Sequence, residues 1–244
     1  MIELNHVTYR YPFSDRNALE DISLTVRPGE AVLCTGVSGC GKSTLIRLIN
    51  GLCPHYFGGE LKGTVRVAGQ NNQTLKLHEI SSRVGTLFQN PESQFFALGV
   101  EEEMAFKPES RGMHPDKIRD LIAKTSQRFG LNSVLKNTIH ELSQGQKQLL
   151  CITRVMLCLP PMLILDEATS SIDTRTEKLV QKGMDALMSG RTSFVIAHRL
   201  STVKNADDIA VIEQGQIVEK GAHEELMQKD GIYASLVHTQ ELKE

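Results

Sequence analysis

GVSGCGKST, residues Gly36 to Thr44, is a complete phosphate-binding loop pattern, G-x-x-x-x-G-K-[ST]. Before it, Ala31 to Thr35 is an apolar, strand-like run; after it, Leu45 to Leu52 is helix-like. A loop at such a junction wraps phosphates with its amides and the helix N-terminus. The candidate binding residues are therefore Gly36, Ser38, Gly39, Cys40, Gly41, Lys42, Ser43 and Thr44. Lys42 neutralises the β/γ oxygens and the Ser43 hydroxyl ligates Mg²⁺. The stretch predicts binding of a nucleoside triphosphate.

The 244 residues suit one large α/β domain, or a core with a subdomain. A formal net charge of −2 advertises no surface for a polyanion, so nucleic acid is not an expected partner. The longest apolar run, Val155 to Leu165, is short for a membrane span and is broken by prolines. The N-terminus has no basic stretch ahead of an apolar one, so no secretion signal is expected. Five cysteines, an odd count without metal spacing, read as reduced cytosolic thiols.

The first 35 residues alternate like antiparallel strands: Ile2 to Tyr9, Ile22 to Val26, a Pro28–Gly29 turn, then Ala31 to Thr35. Thr64 to Ala68 and Val84 to Phe88 are further strand candidates. From Val100 to His140 the pattern is helical. Ser143 opens a helix that runs to about Cys158, where Pro160 and Pro161 stop it. Met162 to Leu165 is continuously apolar, as a parallel strand covered on both faces would be. Thr174 to Met188 reads as a helix and Thr192 to Ala197 as a buried strand. Asp208 to Glu213 and Gln216 to Lys220 form a hairpin around Gly215.

Two further motifs carry chemistry. The strand Met162 to Leu165 ends in Asp166-Glu167, an acidic pair placed to hold metal through Asp166 and to polarise water through Glu167. Leu142-Ser143-Gln144-Gly145-Gln146 puts a hydroxyl, free amides and a helix dipole at one helix start, which suits an anion.

Together GVSGCGKST, Gln89, LSQGQ, LILDE, Ser171-Ile172-Asp173 and His198 stand in the order and spacing of an ABC-type ATPase cassette, and the resemblance covers essentially the whole chain. It implies an α/β fold: a phosphate-loop core with a mostly parallel sheet, an antiparallel β subdomain and an inserted helical subdomain at about 91–158. Residues 1–244 would form one cassette. It also implies a head-to-tail dimer around two ATP and Mg²⁺, in which Ser143, Gly145 and Gln146 face the partner's phosphate loop. Gln89 would sense metal and attacking water, Asp173 would contact the partner, and His198 would hold the γ-phosphate and order Glu167. Metal ligands would be Ser43, Gln89 and Asp166. Tyr11 resembles the aromatic that stacks on adenine, with Tyr9 as competitor; Tyr11 is preferred because it lies beyond the strand end.

The two halves resemble different branches. LCPHYFGGELKG (52–63) and FQNPESQFFALGVEEEMAF (88–106) are similar to ATPase subunits of energy-coupling-factor uptake transporters. From about Gln148 the text is similar to exporter cassettes, as in LILDEATSSIDT. The chain thus reads as a hybrid, natural or constructed, joined between Lys107 and Pro160. Gln144 stands where the commonest signature has Gly.

The resemblance implies an ATP-hydrolysing subunit, cytoplasmic and peripheral on the inner face of the cell membrane. It would touch the membrane only through a transmembrane transporter subunit docked near Phe95 and Phe96. Uptake of a small solute is the leading reading, because exporters usually join the cassette to membrane spans. A hybrid that binds ATP without a transport partner is the alternative. A soluble ABC ATPase of the chromosome type would need a coiled coil between Gln89 and Leu142, and that interval is too short.

Overall fold

The fold is described from a computed structural model over residues 1–166, 174–196 and 206–241. Glu167, Asp173 and His198 lie outside the described residues. The chain divides into two compact units, one of Met1–Thr86, Pro161–Glu167 and Gly190–Glu244, the other of Leu87–Pro160 and Ala168–Ser189.

The first unit contains two sheets. β1 (Ile2–Arg10), β2 (Leu19–Val26), β4 (Glu60–Val67) and β5 (Gln70–Asn71) form a four-stranded antiparallel sheet in the order β2-β1-β4-β5. The second sheet has six strands in the order β10-β9-β3-β8-β7-β6: β3 (Ala31–Thr35), β6 (Val84–Leu87), β7 (Met162–Asp166), β8 (Thr192–Ile196), β9 (Asp208–Glu213) and β10 (Gln216–Gly221).

Here the sequence reading of Ala31 to Thr35 needs correction. That strand does not continue the antiparallel set; it runs parallel to β8 and β9 in the other sheet. Its burial explains why, since Val32, Leu33 and Cys34 are all buried and it has no wet face to alternate with. β8 is buried along its whole length and β7 along all but Asp166, the same habit.

The helix after the phosphate loop is α1, Lys42–Ile49, shifted from the expected Leu45 to Leu52. It begins inside the motif and stops before Gly51, whose φ of 80° is outside the helical region. Thr44, Leu45, Ile46, Leu48 and Ile49 are buried, so the helix is sunk in a core that also contains Tyr9, Cys34, Ile164 and Phe194. Short helices α2 (Leu52–His55) and α3 (Leu77–Arg83), and two C-terminal helices, His223–Gln228 and Ile232–Glu241, complete the unit.

The second unit is helical: α4 (Val100–Ser110), α5 (Pro115–Phe129), α6 (Gln144–Cys158) and α7 (Thr174–Met188). α6 packs against each of the other three. Local sequence sets the ends. α5 starts with Pro115 in the first turn and stops at Gly130 with φ 68°. α6 starts at a Ser143 cap and stops where Leu159 precedes Pro160 and Pro161. Among the described residues no helix is long and apolar enough to cross a membrane.

Candidate nucleotide site

The loop between β3 and α1 is shaped by close backbone approach. Gly36 has φ 146°, and a Cβ there would stand 2.1 Å from the carbonyl oxygen of Ile212 on β9. Gly41, with φ 116°, would push a Cβ to 2.8 Å from the Ala18 carbonyl oxygen. Only glycine lets the strand end, the loop and their backing fit together. At Gly39, also at positive φ, nothing lies within 4 Å of the Cβ position. The loop is therefore walled behind and open at its crest.

Lys42 is 7% exposed and its ammonium is held inside the loop. Nζ donates to the carbonyls of Gly36 and Val37, both at 2.8 Å, and lies 3.5 Å from Cys40 Sγ. A cation inside a ring of backbone, at the start of a helix whose first N–H groups have no intrahelical acceptor, is the environment a phosphate chain needs. Ser38 and Gly39 are exposed on the crest, and Ser43 is exposed in the first turn of α1.

Behind the loop, the Gly215 amide in the β9–β10 turn donates to the Cys40 carbonyl at 2.9 Å. In turn the Gly215 carbonyl accepts from Glu20 N at 2.8 Å. From local sequence Gly215 is only a hairpin turn. Its bracing role needs the sheet order, which places β9 beside β3.

The register of the sheet aligns the acidic strand end with the loop. Asp166 pairs with Ile196, and Ile196 pairs with Cys34, so all three lie in one row across β7, β8 and β3. Two strand spacings, about 10 Å, separate Asp166 from Cys34 at the carboxyl edge. Both charges are felt at the Cys34 thiol. Burial raises its pKa above the usual thiol range; Lys42 opposes that and Asp166 adds to it. α1 also packs on β7.

Tyr11 follows the end of β1, as expected, and is half-buried. Its hydroxyl is 3.2 Å from Thr44 Oγ1 and accepts from Arg47 at 2.9 Å. Tyr9 is fully buried and donates its hydroxyl to the Gly58 carbonyl at 2.5 Å, which makes it a core residue. Arg47 and Phe57 frame Tyr11; Arg47 matches no motif, and Phe57 lies in the 52–63 stretch, where the sequence alone assigns it no site role.

The remaining candidates belong to the helical unit. Gln89 is exposed, two residues after β6. Ser143 caps α6: its hydroxyl accepts from Gln146 N at 3.3 Å, and Gln146 Oε1 accepts from Ser143 N at 2.9 Å. This reciprocal box fixes the helix start. Gly145 is buried in the first turn, while Ser143 and Gln144 are exposed.

A buried parallel strand, a glycine cradle with an internal lysine, and a carboxylate at the same sheet edge define a phosphate-loop nucleoside triphosphatase. A family model described as "ABC transporter" matches residues 19–170. The chain belongs to this family, as its ATP-binding cassette, the part that is an ATPase.

Among its relatives, the ATP-dependent lipid A-core flippase of Pseudomonas aeruginosa is 39% identical over 240 residues, 96% of this chain and 39% of the flippase. ABC transporter B family member 21 of Arabidopsis thaliana is 38% identical over 247 residues, 98% of this chain and 18% of the relative. A putative ABC transporter ATP-binding protein of Treponema denticola is 35% identical over 222 residues, 90% of this chain and 45% of that protein. A solved bacterial Atm1-family ABC exporter with ATP bound superposes with a TM-score of 0.83 at 29% identity, covering 98% of this chain and 41% of the exporter. The chain thus spans less than half the length of these relatives.

Proposed function

We propose that residues 1–244 form one cassette, with a helical subdomain at about 91–158, that binds Mg-ATP on the Gly36–Thr44 loop and hydrolyses it as a head-to-tail dimer. The observation that carries this reading is the Gly36–Lys42 cradle, whose lysine and closed back wall fit a phosphate chain. Ser43 and Asp166, a hydroxyl and a carboxylate, fit a hard cation, and Gln89 is the third metal-site candidate. Among the described residues no group of three His, Cys, Asp or Glu gathers to hold a metal. Mg²⁺ takes few protein ligands and completes its shell with water and phosphate oxygens. The ion would neutralise charge on the β/γ oxygens.

Glu167 would act as general base, His198 would hold the γ-phosphate and Asp173 would meet the partner cassette. The exposed Ser143 cap would reach the partner's nucleotide. Binding of ATP to the parent and to Lys42→Ala, measured by fluorescence of a labelled analogue, tests the cradle. Affinity should fall strongly in the variant; unchanged affinity would sink the assignment.

The work done would be transport through a separate membrane subunit, inward for a small solute, as the text of 52–63 and 88–106 suggests. Phe96, 76% exposed and stacked on Phe106 at 5.5 Å, with Leu98 73% exposed nearby in sequence, offers an apolar contact for that subunit. A second reading, outward transport, is favoured by the names of the flippase and the exporter among its relatives. Cross-linking from Phe96→Cys in cells of the source organism, followed by identification of the captured membrane subunit, separates the two. A membrane exporter would refute uptake.

A further inference from the structure

Arg47 lies one helical turn beyond Thr44 on α1, on the same face of the helix. Its Nη1 donates to the Tyr11 hydroxyl at 2.9 Å, and its guanidinium carbon stands 4.6 Å from the centroid of the Phe57 ring. The same hydroxyl is 3.2 Å from Thr44 Oγ1. The Tyr11 ring meets Tyr9 edge-on at 4.9 Å and Phe57 edge-on at 6.4 Å. Tyr9 itself is fixed in the core by its bond to Gly58. The phenol is therefore held at its oxygen by a permanent cation and a threonine, and at its edges by two rings.

A base-stacking ring is useful to the extent that its plane is set before the ligand arrives, because ordering it on binding subtracts from affinity. We propose that Arg47 is a positioning residue for the nucleobase. It fixes the plane of Tyr11 through the phenolic oxygen, is held over Phe57, and links the base platform to the last residue of the phosphate loop, Thr44. The proposal rests on the reading of Tyr11 as the base-stacking residue. It has a consequence that stacking alone lacks: the hydroxyl of Tyr11 matters, so Tyr11→Phe is not neutral.

The test compares ATP with inorganic tripolyphosphate, which has the phosphates but no base, by calorimetry on the full chain. Arg47→Met and Tyr11→Phe should each lower ATP affinity about three- to tenfold, the value of one ordinary hydrogen bond, because the ligand feels only the lost ordering of the ring. Tripolyphosphate affinity should stay unchanged, and Arg47→Lys, which can still donate and still carries charge, should recover most of the loss. Equal losses for both ligands would mean that Arg47 supports the phosphate loop and would overturn the proposal; so would no loss for ATP. If Arg47→Met lacks a cooperative melt, Tyr11→Phe decides, since deleting one oxygen removes the Arg47 bond together with the Thr44 contact. Tyr11→Ala is the control on the underlying reading. If it spares ATP, Tyr11 is not the base platform. If it weakens ATP alone while Arg47→Met is silent, only the role of Arg47 falls.

Discussion

Glu103 is a fully buried carboxylate of the helical unit. Its side chain is 0% exposed, and Oε1 accepts from Arg154 Nη1 at 2.7 Å. Oε2 accepts from the amides of Phe96 and Ala97 at 2.8 and 2.9 Å. Arg154, 16% exposed, also donates to the Gln94 carbonyl and to Gln94 Oε1. One carboxylate thus ties α4 to α6 and holds the loop that presents Phe96. Glu103→Ala leaves a mostly buried guanidinium without its counter-charge, a change that costs about 3–5 kcal/mol. Two loop amides lose their acceptor as well, each worth about 1–3 kcal/mol if water does not reach them. Arg154 keeps Gln94, and the loop is near the surface, so a total of about 4 kcal/mol is the working figure. For a chain of this size each kcal/mol moves Tm by about 2–4 °C, so the melt should fall by roughly 8–16 °C. Glu103→Gln keeps one acceptor and should lose about half as much. Thermal unfolding followed by circular dichroism measures both. A drop under about 2 °C in Glu103→Ala would refute the reasoning, because it would mean the ion pair returns no more than its desolvation cost.

Gly36→Ala should damage the phosphate loop far more than Gly39→Ala, because the first methyl meets the Ile212 carbonyl at 2.1 Å and the second meets open space. Gly39→Ala should cost only the positive-φ strain of about 1–2 kcal/mol and leave measurable ATP binding. Loss of binding in both variants alike would contradict the geometry. Glu92 is held below its ordinary 4.5, chiefly by the hydrogen bond from Lys147. With the folded value lowered, this link between the Pro91–Gln94 turn and α6 contributes above the unfolded value and is lost as pH falls through the folded one. NMR titration of the Glu92 carboxyl should show its midpoint rise in Lys147→Met; no rise would mean the contact does not persist in solution. Ser143→Arg should abolish ATP turnover while sparing ATP affinity of the monomer, since Ser143 would act on the partner's nucleotide; an equal fall in monomer affinity would refute action in trans.

Much of this was legible in the sequence because it is locally encoded. The cap at Ser143 and the paired prolines after Cys158 delimit α6, and the apolar run Met162 to Leu165 marks β7, through short-range rules alone. The glycine-rich loop announced itself by pattern. What could not be read was lateral order. Ala31 to Thr35 carries the continuous apolar run of a buried strand, but nothing local names β8 and β9 as its neighbours. For the same reason the bracing of Cys40 by Gly215, and of Tyr11 by Arg47, emerged only once distant segments were brought together. The roles of Glu167, Asp173 and His198 rest on motif and family membership, as those residues lie outside the described ones.

The central proposal, that this chain is an ATPase whose sites are completed by a second cassette, is tested most directly by Mg-ATP turnover against protein concentration, with Glu167→Gln measured alongside. The account predicts a rate per molecule that rises with concentration and collapses in the variant, while ATP binding survives. A rate per molecule that is constant across concentrations, and equal in the variant, would contradict it.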